Sequence, residues 1–224
     1  MIKLIGIAQA EKDGFLYYAY KKGANNFCKI ISSKDGFEFN GYSKFVIATD
    51  EKNREEKTYD WKSFRISKQK DKYYLTYKVN AKTYANLNSA LSSDLLRWKK
   101  IGKIENIKET AVVVPDYKHH NRYVMYAGEK NIRLAYSGDL KTWKIEEKPL
   151  IEPRNDFFDH DELEVGGVFQ EKEHIILIYY AKHGNKYTVG ACIFDKKDPE
   201  TVIWRSEEPL WSPPEEVHES KLSP

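Results

Sequence analysis

The chain has 224 residues, 41% hydrophobic and 14% aromatic, enough for a sizeable core in one large domain or two small ones. Its net charge of +3 comes from basic residues interleaved with acids, with no basic stripe, which argues against a nucleic-acid partner. No apolar run approaches a membrane span and the run in "MIKLIGIAQAEKDG" is too short for a signal peptide, so no membrane partner is expected and the default location is cytoplasmic.

Along the chain, aromatic and β-branched runs of strand length succeed one another, and the 16 tyrosines favour strands over helices. "LIGIAQA", "GFLYYAY" and "FCKIISS" come first and lead into "SKDGFEF". "SFRISKQ", "KYYLTYKV" and "ANLNSALSS" repeat the series and lead into "SSDLLRW". "AVVVPDY", "RYVMYAG" and "IRLAYSG" form a third series ending in "SGDLKTW", and "EVGGVFQ", "HIILIYYA" and "TVGACIFD" a fourth ending in "DPETVIW". The acids of the four motifs, Asp35, Asp94, Asp139 and Asp198, stand 59, 45 and 59 residues apart. Four short strands repeating at that interval describe propeller blades.

The expected fold is therefore all-β, a β-propeller of four-stranded antiparallel blades forming a single domain over residues 1–224. Blades fall at about 1–57, 58–104, 105–155 and 156–210, and 211–224 reads as the start of a further blade. The architecture expected is five-bladed with its last blade incomplete, and an open blade edge offers a route to oligomers. Each motif sits in the turn between a blade's third and fourth strands. There the Asp carboxylate and Ser hydroxyl accept backbone N–H bonds, and the Trp or Phe fills space between blades. Cys28 and Cys192 each lie in an apolar strand and are read as buried thiols.

Two segments carry a family resemblance. "KYYLTYKVNAKTYANLNSALSSDLLRWKKIG" resembles the second blade of five-bladed glycosidases. "YTVGACIFDKKDPETVIWRSEEPLWSPPEE" resembles a segment of glycoside hydrolase family 130, the mannoside phosphorylases and hydrolases. "RYVMYAG" and "FDHDELEVGG" fall where that family has its third and fourth blades. The resemblance implies a carbohydrate substrate, an oligosaccharide of mannose type, and no cofactor. Ser-x-Asp-Leu is shared with families 43 and 32 and says little about function.

Candidate site residues open the inner strand of each blade, where polar groups converge at a propeller's mouth. The family has Glu-Asp-Pro-Arg in blade two, with the Asp as proton donor. Here the aligned residues are Lys62, Ser63, Phe64 and Arg65, so the Arg is kept and the donor position is Ser63. Asp60 can replace the donor from a shifted position or pair with Arg65, and Tyr59, Trp61 and Phe64 can meet a sugar face or pack the blade. Glu109 precedes blade three as a candidate carboxylate or a solvated loop acid. In blade four Glu162 and Glu164 share one strand face opposite Leu163 and Val165, with Gly166 and Gly167 permitting close backbone approach.

Asp60, Glu109 and Glu164 are thus the catalytic candidates. Tyr59, Trp61, Ser63, Arg65, Glu162 and His183 are the substrate-binding ones. His160 lies among acids with no second His at a ligand spacing, so no metal is expected. The resemblance places the family's phosphate-binding Arg and His at Gly128 and Tyr180, with His183 three residues out of register. That points to inverting hydrolysis by two carboxyls about 6.5–9.5 Å apart, ahead of phosphorolysis. The alternative is a catalytically silent propeller that binds carbohydrate or a protein.

Overall fold

A computed structural model describes residues 9–12, 15–21, 28–35, 38, 40–44, 46–48, 60–79, 86–107, 110–183 and 186–213. The regular elements among them are all strands. The first sheet is β1 (Gln9–Lys12), β2 (Phe15–Lys21), β3 (Cys28–Ser33) and β4 (Asn40–Lys44), each antiparallel to the next. The second holds β5 (Val46–Ala48), β6 (Asp60–Gln69), β7 (Lys72–Val79), β8 (Asn86–Ser92) and β9 (Arg97–Lys103), in the order β5-β9-β8-β7-β6. The third is β10 (Thr110–His119), β11 (Arg122–Glu129), β12 (Asn131–Ser137) and β13 (Lys144–Ile145). The fourth is β14 (Glu162–Glu171), β15 (His174–His183), β16 (Lys186–Asp195) and β17 (Val202–Arg205). Two compact units result, β1–β9 and β10–β17.

The four-strand expectation needs one correction. The second sheet gains a fifth strand because β5, assigned by sequence to the first repeat, pairs in parallel with Arg97–Lys99 of β9. Ile47 is 1% exposed there and joins a core with Phe64, Leu75, Tyr77 and Trp98. Burying that isoleucine favours the added strand.

The Ser-x-Asp turns form as the sequence implies. Asp94 Oδ1 accepts the N–H groups of Leu96 and Arg97, at 2.9 and 2.8 Å, and the Ser92 hydroxyl accepts that of Leu95 at 2.9 Å. Asp139 accepts from Lys141 and Thr142 at 2.8 and 2.9 Å, and Ser137 from Leu140. These bonds hold Leu95 and Leu140 at φ of 65° and 63°, a left-handed backbone that costs a leucine energy. Asp35 keeps part of the pattern through Ser33 and Glu38. Asp198 binds Glu200 and Thr201 instead.

In the second unit the third and fourth sheets share one core. Val112, Tyr126 and Leu134 meet Leu163, Leu177 and Phe194 in it, and the Tyr126 and Phe194 rings stack at 4.9 Å. Tyrosine suits this interface because the ring packs while the hydroxyl reaches a polar partner. Tyr117, Tyr126 and Tyr136 donate to Lys196 O, Pro199 O and Glu200 Oε1, all in the turn between β16 and β17. Cys192 is a buried free thiol that burial pushes up to about 12. The Cys28 side chain lies outside the described residues.

Candidate active site

Among the described residues, polar groups converge at the start of β14. Leu163 and Val165 are 0% exposed, so the intervening parity puts Glu162 and Glu164 on the opposite face. Across the ladder Glu162 stands opposite Lys182 and Glu164 opposite Tyr180. Lys182 Nζ donates to Glu162 Oε2 at 3.0 Å, and that bond raises the Lys182 ammonium pKa. Tyr187 pairs with Lys182 on the next strand. Burial raises its phenol first and the negative charge of Glu164 raises it further. Two carboxylates, one ammonium and two phenols therefore share one end of a sheet face, a set that can protonate, deprotonate and hydrogen-bond a hydroxylated ligand.

A bulge sets this register. Pairing slips between Val165 and Gly167. A Cβ on Gly166 would lie 2.8 Å from Ile178 O, so the sequence-based expectation of close backbone approach holds there. It does not hold at Gly167, where an added Cβ meets nothing within 4 Å.

Behind that face the segment leading into β14 is pinned by a buried acid. Asp159 is 0% exposed. Its Oδ1 accepts from Arg154 Nε at 3.0 Å. Its Oδ2 accepts from Arg154 Nη2 at 2.9 Å, Tyr179 Oη at 2.7 Å and Arg205 Nη2 at 2.6 Å. Burial alone would raise this carboxyl, but the bonds from Arg154, Tyr179 and Arg205 together hold it below the ordinary range. Arg154 also donates to Ser206 O, and Arg205 to Glu152 O. The node ties residues 152–159 to β17 and so fixes where β14 begins.

Asp60 begins β6 with its backbone opposite Lys78, and Trp61 comes next; neither side chain is described. Tyr59 and Glu109 lie outside the described residues. Ser63, at the family's donor position, is buried, and its hydroxyl accepts the Lys78 N–H at 2.6 Å. Arg65 donates to Phe64 O at 2.9 Å. Gly128 is buried in β11 opposite Thr110, and a Cβ there would come 2.9 Å from Ile132.

His183 ends β15, its Nδ1 2.9 Å from Asp161 Oδ2. The sequence offers His160 no second His at a ligand spacing, but the fold brings one from the end of β15. The His160 and His183 ring centroids are 4.1 Å apart. Sequence reasoning also missed Lys182, Tyr187 and the Asp159 node. Hairpin counting pairs Tyr187 with Lys182, but the slip between Val165 and Gly167 puts Lys182 one residue off the count from Glu162.

Comparison with known proteins adds a lineage. Residues 12–220 match the profile of glycoside hydrolase family 130, described as β-1,4-mannooligosaccharide phosphorylase. A curated 1,2-β-oligomannan phosphorylase from Thermoanaerobacter sp. (strain X514) is 29% identical over 188 residues, covering 81% of this chain and 62% of the relative. The chain therefore spans less than two thirds of that relative's length. The solved β-1,2-mannobiose phosphorylase of Listeria innocua, in complex with β-1,2-mannobiose, superimposes with a TM-score of 0.70 at 16% identity, covering 92% of this chain and 77% of the other. A second solved structure is described among family 130 hydrolases that target β-1,2 mannosidic linkages in Candida mannan. It gives a TM-score of 0.79 at 23% identity, covering 95% and 72%. These likenesses show the fold, a β-propeller of four-stranded antiparallel blades.

Proposed function

The chain belongs to glycoside hydrolase family 130, and from that premise we propose that it cleaves a β-mannosidic bond in an oligomannan. The observation that carries this reading is the family match over residues 12–220, together with the relative's action on 1,2-β-oligomannan. In the proposed chemistry Glu164 is one of two carboxyls flanking the bond, with Glu109, the other candidate acid the sequence offers in the same unit, as the second. One protonates the leaving oxygen while the other activates the attacking group, with inversion at the anomeric carbon. Tyr180, Tyr187 and Lys182 supply hydrogen bonds to the sugar hydroxyls.

Water is the acceptor in this proposal. A phosphate acceptor needs cationic donors. The positions that the family resemblance assigns to them hold Gly128, buried beside Ile132, and Tyr180, a tyrosine opposite Glu164. Phosphorolysis is the second reading, favoured by the activity of the curated relative. Incubating the full chain with β-1,2- and β-1,4-mannobiose, with and without inorganic phosphate, separates the two. Mannose released in phosphate-free buffer is the expected result. Mannose 1-phosphate formed only with phosphate would establish the second reading. No product in either buffer would overturn both and leave a carbohydrate-binding propeller.

We also infer that the apolar face at β17 is an interface which a further sheet covers. Val202, Ile203, Trp204, Leu210 and Trp211 are 42–58% exposed, a run of apolar side chains of the kind a neighbouring blade covers.

A further inference from the structure

We propose that His160, Asp161 and His183 form a binding site for a divalent transition-metal ion of the zinc class. One ligand atom from each residue lies within 4.8 Å of the other two. Asp161 sits between the rings, with Oδ2 2.9 Å from His183 Nδ1 and Oδ1 3.9 Å from His160 Nε2. Two ligands on one tetrahedral zinc, each at about 2.0–2.1 Å from the ion, are roughly 3.3 Å apart. The two distances bracket that value; the Asp161 carboxylate can only accept, so His183 Nδ1 carries a proton in the metal-free protein, and that proton passes to solvent when the ion takes its place.

The second observation is how His160 is held. Its Nδ1 lies 2.8 Å from Phe157 O, and the carbonyl can only accept, so Nδ1 carries the proton. That leaves the Nε2 lone pair facing Asp161 and His183. A backbone carbonyl behind the far nitrogen is the support that metal-bound histidines use to fix tautomer and ring orientation. The carbonyl's own segment is anchored by the Asp159 node, and Arg154 stacks over the Phe157 ring at 4.1 Å. The imidazole is therefore pre-oriented.

Two imidazoles and one carboxylate select zinc, cobalt, nickel or copper over magnesium or calcium, which prefer all-oxygen sets. The side chains are 30%, 43% and 60% exposed for His160, Asp161 and His183, so solvent completes the coordination. Bound metal would staple the segment before β14 to the end of β15, beside Glu162. The site stands independently of the mannosidic reaction.

The test uses the full chain without a polyhistidine tag, stripped with chelator and titrated with zinc chloride by calorimetry. One equivalent should bind and thermal unfolding should shift upward. His160→Ala and His183→Ala should each weaken binding by at least ~10-fold, while His174→Ala should not. Magnesium chloride should give no heat of binding. Absence of stoichiometric zinc binding, or binding unchanged in both His160→Ala and His183→Ala, would overturn the site. Circular dichroism of each variant confirms folding, since the substituted side chains are solvent-accessible.

Discussion

The third and fourth sheets end alike in sequence and differently in environment. "EKPLIEP" comes after the third and "EEPLWSP" after the fourth. Both stretches return to the third strand of their own sheet, Ile151 bridging Ile132 and Trp211 bridging Val189. Yet Ile151 is 2% exposed and Leu150 packs on the core, whereas Trp211 is 47% and Leu210 58% exposed. The motif tryptophans divide the same way, Trp143 at 8% and Trp204 at 44%. Ile151 belongs to a core that the fourth sheet completes, while nothing among the described residues covers its counterpart. So burial in this repeat is conferred by the next sheet. Identical local signals give a core residue where a sheet packs over them and a surface residue where none does.

The largest effects should come from breaking the covered end. Asp159 pins the segment that runs from Ile151 into β14, and removing it would leave Arg154 and Arg205 without their shared buried carboxylate. Asp159→Ala should cost about 3–5 kcal/mol in denaturant unfolding, the range for a broken buried pair. A loss below about 1 kcal/mol would show the node to be ornamental. Its pH dependence has a fixed sign. The folded-state pKa is depressed, so the stabilisation is complete above the unfolded value of about 3.9 and is lost as pH falls through the lower folded one. Asp159→Asn should therefore flatten the fall in stability below about pH 4, and an unchanged slope would refute the assignment.

Trp143→Ala should be nearly as costly, at about 3–5 kcal/mol, since it removes a buried indole. Glu164→Gln tests the exposed face of the same sheet by a different readout. Turnover of the mannobiose cleaved by the wild type should fall about 10²–10⁴-fold, with unfolding free energy unchanged within about 1 kcal/mol. Undiminished turnover would remove Glu164 from the chemistry.

How much of this could be read from sequence depends on how local the determinant is. The Ser-x-Asp turns were legible because acceptor and donors lie within three residues. Strand identity and the shared face of Glu162 and Glu164 were legible because side-chain parity is a period-two signal. Their cross-strand partners were not. Counting outward from the β14–β15 turn, where Glu171 meets His174, would set Glu162 against His183 and Glu164 against Ala181. The Gly166 bulge slips the ladder by one, giving Lys182 and Tyr180 instead. Nothing in "DHDELEVGG" ranks its acids either. Asp159 is set apart by Tyr179 and Arg205, 20 and 46 residues later, and Asp161 by His183, 22 residues later.

The smallest expected effect is at the uncovered end, and it is the sharpest check on the comparison. Trp204→Ser combined with Phe169→Ser removes two exposed aromatics on one row, since Phe169 pairs with Ile176, Ile176 with Ile193, and Ile193 with Trp204. In residues 1–224 this pair of changes should move unfolding free energy by no more than about 0.5 kcal/mol per site, the ordinary surface range. It should also reduce concentration-dependent association in light scattering, because an apolar sheet face open to water is a surface for self-pairing. A stability loss above about 2 kcal/mol would mean that the row is already covered. The contrast with Trp143 would then fail, and its concentration dependence would tell whether the cover is a second copy of the chain.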